Sequence, residues 1–458
     1  MVTPPRLKRL FIQELFGEDS HDIDIPFRLD ERVTVLHGLN GSGKTITLNL
    51  LYAVWEGWYT RLLDFPLTVM RLEFNNRRVL ELRPERTPQE NNKRGILATL
   101  TRGDELPPMK ARLVVDADDH YNIVLTILRE NNVSVDRLQR NLYALRDEDS
   151  AITHHRLHDI ERLYAPLLEK DDRYKNRPNK EPDALRRLRT SLAPALLIRA
   201  DRLRLRDIHG ADPTKRPDRI YDFGSDYRVD HLSHRLQDEV SAARHASRRA
   251  VLEIDDRVEK RVYALDVDVP SAEALLQRAA TLAALEARLK EAGLFDEQTP
   301  ALPGQIEEFQ RPALHNVLQR REAAVRPLET LLNKVQRVLK SLNKKLAPKE
   351  LRVDGGWGYR VRTPSGRELA VYQLSSGEQH ELVLLHELLF ELRPGSLILI
   401  DEPELSLHVT WQAALLEELL DIAELVGLDF VLATHSPYII GAHDALMVQL
   451  GPSAEAAP

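Results

Sequence analysis

Residues 373–408 read QLSSGEQHELVLLHELLFELRPGSLILIDEPELSLH. Within them Ser396–Ile400 (SLILI) is a short, continuous apolar run rich in β-branched residues, and it ends in Asp401-Glu402-Pro403. Such a run predicts a strand buried on both faces of a parallel sheet. Ligands of parallel sheets gather at the carboxyl ends of the strands, where Asp401 and Glu402 stand. One carboxylate there can hold Mg²⁺ and the next can polarise a water. Two ordinary solvated acids at a strand end would read the same way. Just upstream, Leu374-Ser375-Ser376-Gly377-Glu378 precedes an apolar-periodic helix over Leu382–Leu392. A Ser/Gly turn at a helix start offers free N–H groups to a phosphate, and it also serves as a plain N-cap. Downstream, Phe430–Thr434 predicts another buried strand, ending in His435. An imidazole at that position can reach a γ-phosphate or can be structural.

Far upstream, Val33–Leu36 predicts a strand, followed by Gly38-Leu39-Asn40-Gly41-Ser42-Gly43-Lys44-Thr45 and a helix to about Leu62. This is G-x-x-x-x-G-K-T in the strand–loop–helix context that the P-loop requires. Its glycines let backbone N–H groups wrap phosphates. Lys44 meets the β- and γ-phosphates and Thr45 offers a hydroxyl to Mg²⁺.

A P-loop, an LSSGE turn, an apolar strand ending in DEPE and a His after the next strand occur in this order in ABC-type ATPases, which the chain resembles. The wide gap between P-loop and LSSGE is similar to the Rad50, SMC, RecF and OLD-like branch. DEPELSLH followed by Trp411-Gln412 resembles the OLD-like ATPases of bacterial defence systems. The resemblance spans residues 6–83 and 351–450. It implies an α/β fold: a P-loop ABC-type ATPase head, with a mixed sheet plus an antiparallel β layer and an inserted helical lobe or short arm. It implies ATP and Mg²⁺ as ligands. Gly38, Asn40, Gly41, Ser42, Gly43, Lys44 and Thr45 become the Walker A cradle, with Thr45 and Asp401 on the metal. Glu402 becomes the general base and His435 the switch histidine. Ser375 and Gly377 become the signature residues that meet ATP held by a second subunit, so a homodimer or a higher oligomer forms through the ATP site. Ser406–His408 takes the D-loop position. Ser376 stands where many members carry glycine, and Gln89 is the candidate Q-loop glutamine.

The remaining sequence sets the organisation. A 458-residue chain has room for two or three domains, and 43% hydrophobic residues can fill their cores. The net charge of −7 does not advertise nucleic-acid binding. With no cysteine there are no disulfides or thiolate metal sites, and no CxxC hook of the Rad50 kind. No signal peptide or apolar membrane span is read, so the expectation is a cytoplasmic protein without membrane contact. Residues 1–117 read as the N-terminal part of the head, with strands at Leu7–Leu15, Asp22–Phe27, Leu67–Asn75, Arg78–Arg83, Gly95–Arg102 and Arg112–Asp116. Residues 118–350 read as a mostly helical insertion with a core strand near 195–200. Arg199 and Arg202 leave that strand, either as functional arginines or in structural ion pairs. Residues 351–450 read as the C-terminal part of the head, and 451–458 as a disordered tail.

Helices are expected over His231–Val262, Ser271–Ala292 and Pro312–Leu346, the last limited by Pro312 and Pro327. About 35 helical residues span roughly 50 Å, too short for an SMC-type arm. Opposite the apolar stripe of the last helix stand Lys334, Arg337, Lys340, Lys344 and Lys345. They form a candidate DNA-contacting face or a solvated one. His154, His155 and His158 (HHRLHD) lie close in sequence as a metal cluster would, or on a surface helix.

Three functions compete on this reading. The first is a nucleotide-switched sensor and scaffold of an anti-phage defence system. OLD-like nucleases carry a Toprim domain after this point and none is read here, so its effector, a nuclease, is expected to be a separate protein as in PARIS and Septu. The second is a RecF- or Rad50-like DNA repair or chromosome-maintenance ATPase. The third, a transporter ATPase, is opposed by the long insertion and the LSSGE–DEPELSLH text.

Overall fold

The computed structural model describes residues 4–18, 20–85, 94–103, 106–115, 127, 130, 170, 181–199, 226–261, 269–295, 301, 303–406, 409–441 and 443–451. Gln89, the His154–His158 cluster, Arg202, Leu407 and His408 lie outside these residues, as do the side chains of Arg199, Ser376, Ser406 and Trp411. The chain divides into two compact units, Met1–Ile220 with Leu392–Pro458, and Tyr221–Glu391.

The first unit is built on a five-stranded sheet. Its order is Met447–Gln449, Val33–His37, Asp429–Ala433, Leu397–Asp401, Ala195–Arg199, and every pairing is parallel. Leu397–Asp401 is buried at all five positions, which is why its sequence shows no alternation. The helix Lys44–Glu56 follows the strand Val33–His37. It stops at Gly57, whose φ of 85° lets its own N–H and that of Trp58 turn back onto the carbonyls of Val54 and Ala53. The helix is therefore shorter than the sequence suggests, and Tyr59–Asp64 continues as a 3₁₀ turn. A separate six-stranded antiparallel sheet runs Ile23–Pro26, Leu7–Gln13, Val69–Phe74, Arg78–Glu85, Arg94–Arg102, Leu106–Val115. The expected α/β class holds, with parallel and antiparallel pairing divided between sheets. One buried cluster joins them: Leu10, Ile12, Met70 and Leu82 of the antiparallel sheet pack with Leu51 of the helix Lys44–Glu56 and with Leu36, Leu399 and Val431 of the parallel sheet.

The second unit holds the helices Asp226–Arg261, Ala272–Glu291 and Arg311–Leu346, a three-stranded antiparallel sheet (Glu350–Asp354, Gly358–Arg362, Glu368–Leu369), and the helix Ser376–His386. The helix Arg311–Leu346 does not break at Pro327 but runs through it. A helical proline costs about 3 kcal/mol, and here burial of Val325, Leu328, Leu331, Leu332, Val335 and Val338 opposes that cost. The helix Ala272–Glu291 ends in a Schellman turn: Gly293 N–H reaches Lys290 O at 3.0 Å and Leu294 N–H reaches Leu289 O at 2.9 Å. Gly293 has φ 72°, and a Cβ there would lie 1.8 Å from the Val353 carbonyl oxygen. Gly293→Ala is expected to destabilise this unit by at least about 1–3 kcal/mol, read as a lower thermal unfolding midpoint. An unchanged midpoint would mean that this turn is not formed.

Candidate functional site

The P-loop leaves the strand Val33–His37 at its carboxyl end and turns into the helix at Lys44. Three glycines make that turn. A Cβ on Gly38 would meet Leu450 O at 2.4 Å and Ser42 Oγ at 2.8 Å. Gly43 has φ 90° and its Cβ position is closed by Leu15 at 2.9 Å. Gly41 has φ 81° and nothing within 4 Å of that position, so its side of the loop faces open space. Ser42 and Lys44 are buried. The Lys44 ammonium donates to Gly38 O at 2.9 Å, Leu39 O at 3.1 Å and Ser42 Oγ at 3.4 Å. Burial pushes its pKa down, opposed by the charges of Glu402, Asp401 and Glu404.

Across 356 residues of sequence, the Thr45 hydroxyl donates to Asp401 Oδ1 at 3.0 Å. Asp401 ends its strand two places along the sheet from the P-loop strand, and Asp429–Ala433 lies between. That middle strand delivers His435, whose Nε2 is 4.0 Å from Glu402 Oε1. Glu402 has φ 49°, a left-handed conformation uncommon for a residue with a side chain. Its N–H donates to Ala433 O at 2.8 Å, which holds it there. Thus Lys44, Thr45, Asp401, Glu402 and His435 come from three neighbouring parallel strand ends.

The donor set fits a magnesium-bound triphosphate. Among the described residues no cluster of three or more His, Asp or Glu side chains could hold a metal. Mg²⁺ needs no such cage, since it takes one or two protein oxygens along with waters and phosphates. Thr45 and Asp401 supply hard oxygens, and the open side at Gly41 leaves room for phosphate against the loop.

Ser375 and Gly377 lie in the second unit. Ser375 caps the helix Ser376–His386: its N–H and hydroxyl both donate to Glu378 Oε2 at 2.8 Å. Burial pushes the Glu378 carboxyl up, but bonds from Lys349 and Ser375 outweigh it and hold the group below its ordinary value. Gly377 has nothing within 4 Å of its Cβ position. Glycine in a helix costs about 0.5–1 kcal/mol relative to alanine, and among the described residues no packing requires it here.

The far end of this helix turns through Glu387–Glu391 in one π-helical turn. His386, fully buried, shares a hydrogen bond of 3.0 Å between its Nδ1 and the Tyr359 hydroxyl and stacks on Phe390. Its Nε2 faces Glu391 at 3.6 Å, and Glu391 also pairs with Arg235. Burial pushes the His386 pKa below 6.5, with Glu391 and Glu239 opposing and Arg235 reinforcing. The His386 ring and Arg235, against burial, hold Glu391 at about 2. A histidine kept neutral by the fold stabilises it above the unfolded value, and that contribution is lost as pH falls below about 6.5. The drop in unfolding midpoint between pH 7.5 and 5.5 should therefore shrink in His386→Gln. An identical drop in both proteins would contradict this account.

The basic face of the helix Arg311–Leu346 is not continuous. Lys345 is only 14% exposed and paired with Glu381. Lys334 is half-buried and sits 5.3 Å above the Phe390 ring. Arg337 is half-buried, and of the five only Lys340 and Lys344 are exposed. Two residues to which the sequence motifs assign no role also belong to the candidate site: Glu404 and Gln412 both bond to the segment around His435. The repeated acid of DEPE was the available signal for the first.

A match to the family described as "AAA domain, putative AbiEii toxin, Type IV TA system" covers residues 133–441, more than half of the chain. The chain belongs to that AAA-domain family. The match begins after the P-loop and includes Ser375, Gly377, Asp401, Glu402 and His435. Two solved structures are similar to this AAA-domain protein. One is the Smc head domain with an extended coiled coil bound to the C-terminal domain of ScpA, derived from Pyrococcus furiosus (11% identity, TM-score 0.32, covering 97% of this chain and 93% of that one). The other is the SMC head domain from Thermotoga maritima (12% identity, TM-score 0.31, covering 96% and 92%). No curated protein matches the chain. Among the described residues no helix is long and apolar enough to cross a membrane.

Proposed function

We propose that this AAA-domain protein binds ATP with Mg²⁺, hydrolyses it, and uses the nucleotide to switch its own association. The observation that carries this reading is the bond of Thr45 to Asp401, which joins the P-loop to the DEPE strand end beside Lys44. Mg²⁺, when bound, would neutralise phosphate charge. The residues of the chain do the rest. Gly38–Gly43 present N–H groups, and Lys44 exchanges its carbonyl bonds for phosphate oxygens. Thr45 and Asp401 hold the metal. Glu402 orients the attacking water and takes its proton, and His435 donates toward the γ-phosphate. The test is ATP turnover by the purified chain, with Lys44→Ala as the control that must lose it.

The open environment of Gly377 supports a second subunit as the contact of the signature turn. Leu39 and Leu405, 79% and 72% exposed, lie next to the Walker A and Walker B residues in sequence and support a covered face there. Gly377→Glu should leave the unfolding midpoint within a degree or two, as for an open surface site, yet abolish ATP-dependent dimerisation. Thermal unfolding measures the first and sedimentation with and without Mg·ATP the second. A variant that still dimerises removes the trans role of the turn.

Within this scheme the protein is the sensor of a bacterial defence system that holds or releases a separate nuclease. The family description, which names a toxin of a type IV toxin–antitoxin system, supports this setting over chromosome maintenance. The broken basic face gives no particular support to DNA as the ligand. Copurification of the chain with the product of its neighbouring gene, with and without ATP, tests the effector. A neighbour that never copurifies in either condition sinks it.

A further inference from the structure

DEPE carries three carboxylates, and the scheme above uses two. The third, Glu404, points its oxygens at the end of the histidine strand. Its Oε1 accepts from the His435 N–H at 2.7 Å, and its Oε2 from the Thr434 hydroxyl at 2.8 Å. Thr434 Oγ1 accepts in turn from the Ser436 N–H at 3.0 Å. The Ser436 hydroxyl donates to Gln412 Oε1 at 2.7 Å, and Gln412 Nε2 donates to the Glu404 carbonyl at 3.2 Å. The circuit closes on itself, and Thr434, Ser436 and Gln412 are all buried. Thr434 N–H also reaches Leu36 O at 3.1 Å, in the strand that feeds the P-loop.

The strand pairing of Asp429–Ala433 stops just before these residues. The backbone N–H groups beyond it need acceptors from elsewhere. A carboxylate is a stronger and more directional acceptor than a carbonyl, and one that takes two bonds fixes both position and angle. We propose that Glu404, backed by Gln412, is a positioning residue that sets His435 against Glu402. The proposal rests on the hydrolytic reading of the site. The Glu404 carboxylate is engaged by the Thr434 hydroxyl and the His435 N–H, and its effect passes through the backbone of His435.

Glu404→Ala should keep nucleotide affinity and KM within about threefold and lower kcat by about 10²-fold, the scale of a 1 Å misplacement. Glu404→Gln keeps an oxygen for the His435 N–H and an NH₂ for the Thr434 hydroxyl, and should recover most of the activity. In a His435→Ala background, Glu404→Ala should add no further loss, because both act through one group. Independently of turnover, amide hydrogen exchange at residues 434–436 should quicken in Glu404→Ala and in Thr434→Val, which removes one arm and spares the carboxylate. Unchanged kcat in Glu404→Ala, an additive double variant, or unchanged exchange would each overturn the positioning role. Absence of Lys44-dependent turnover in the unaltered protein would instead overturn the hydrolytic reading, and the exchange measurement would still decide whether Glu404 holds the segment.

Discussion

Glu402→Gln is expected to lower ATP turnover by about 10²–10⁴-fold, the range that positioned general bases contribute, while nucleotide still binds. The amide retains the length and shape of the carboxylate, and the backbone stays at φ 49° through the bond to Ala433 O. The ability to accept a proton is lost, together with the negative charge that acts on Lys44. Lys44, Thr45 and Asp401, to which the proposed scheme assigns binding, are unaltered. With hydrolysis blocked, the nucleotide-bound state should accumulate, and the fraction of dimer at saturating Mg·ATP should rise above that of the unaltered protein. Single-turnover hydrolysis and sedimentation measure the two halves. Retention of full turnover would show that the water is activated elsewhere.

Lys44→Ala is expected to weaken nucleotide binding by at least about 10-fold, since each charged hydrogen bond to a phosphate contributes about 1.5–3 kcal/mol. The effect has two sources. The ammonium itself is removed from beside the phosphates. The loop also loses the cation that ties the carbonyls of Gly38 and Leu39 together, so its N–H groups are less well arranged before the ligand arrives. Titration with a fluorescent ATP analogue reads the affinity, and the unfolding midpoint without nucleotide reads the loop's own contribution. Undiminished affinity would remove the P-loop from the nucleotide site altogether.

The readings that succeeded from sequence share one property: their signal is local. SLILI is legible because a strand buried on both faces has no polar alternation. G-x-x-x-x-G-K-T is legible because the loop's own backbone conformation dictates its glycines at 38, 41 and 43. The extent of the P-loop helix was less so, because Gly57 ends it while Leu62 and Leu63 continue the apolar text as a 3₁₀ turn. Pro327 misled for the reverse reason, since side chains far along the chain keep that helix whole around it. The five basic residues of the same helix looked like one face because Glu381 and Phe390, which engage Lys345 and Lys334, lie far along the chain.

Chain order and spacing were enough to read the α/β class, the strand–loop–helix around Lys44, and the placement of acids and a histidine at strand ends. Each of those is a property of a few consecutive residues obeying backbone geometry. That Thr45 touches Asp401, that the histidine strand lies between the other two, and that Glu404 grips that strand's end could not be read in this way. Those facts depend on the order of strands across the sheet, which is chosen by the burial of residues hundreds of positions apart.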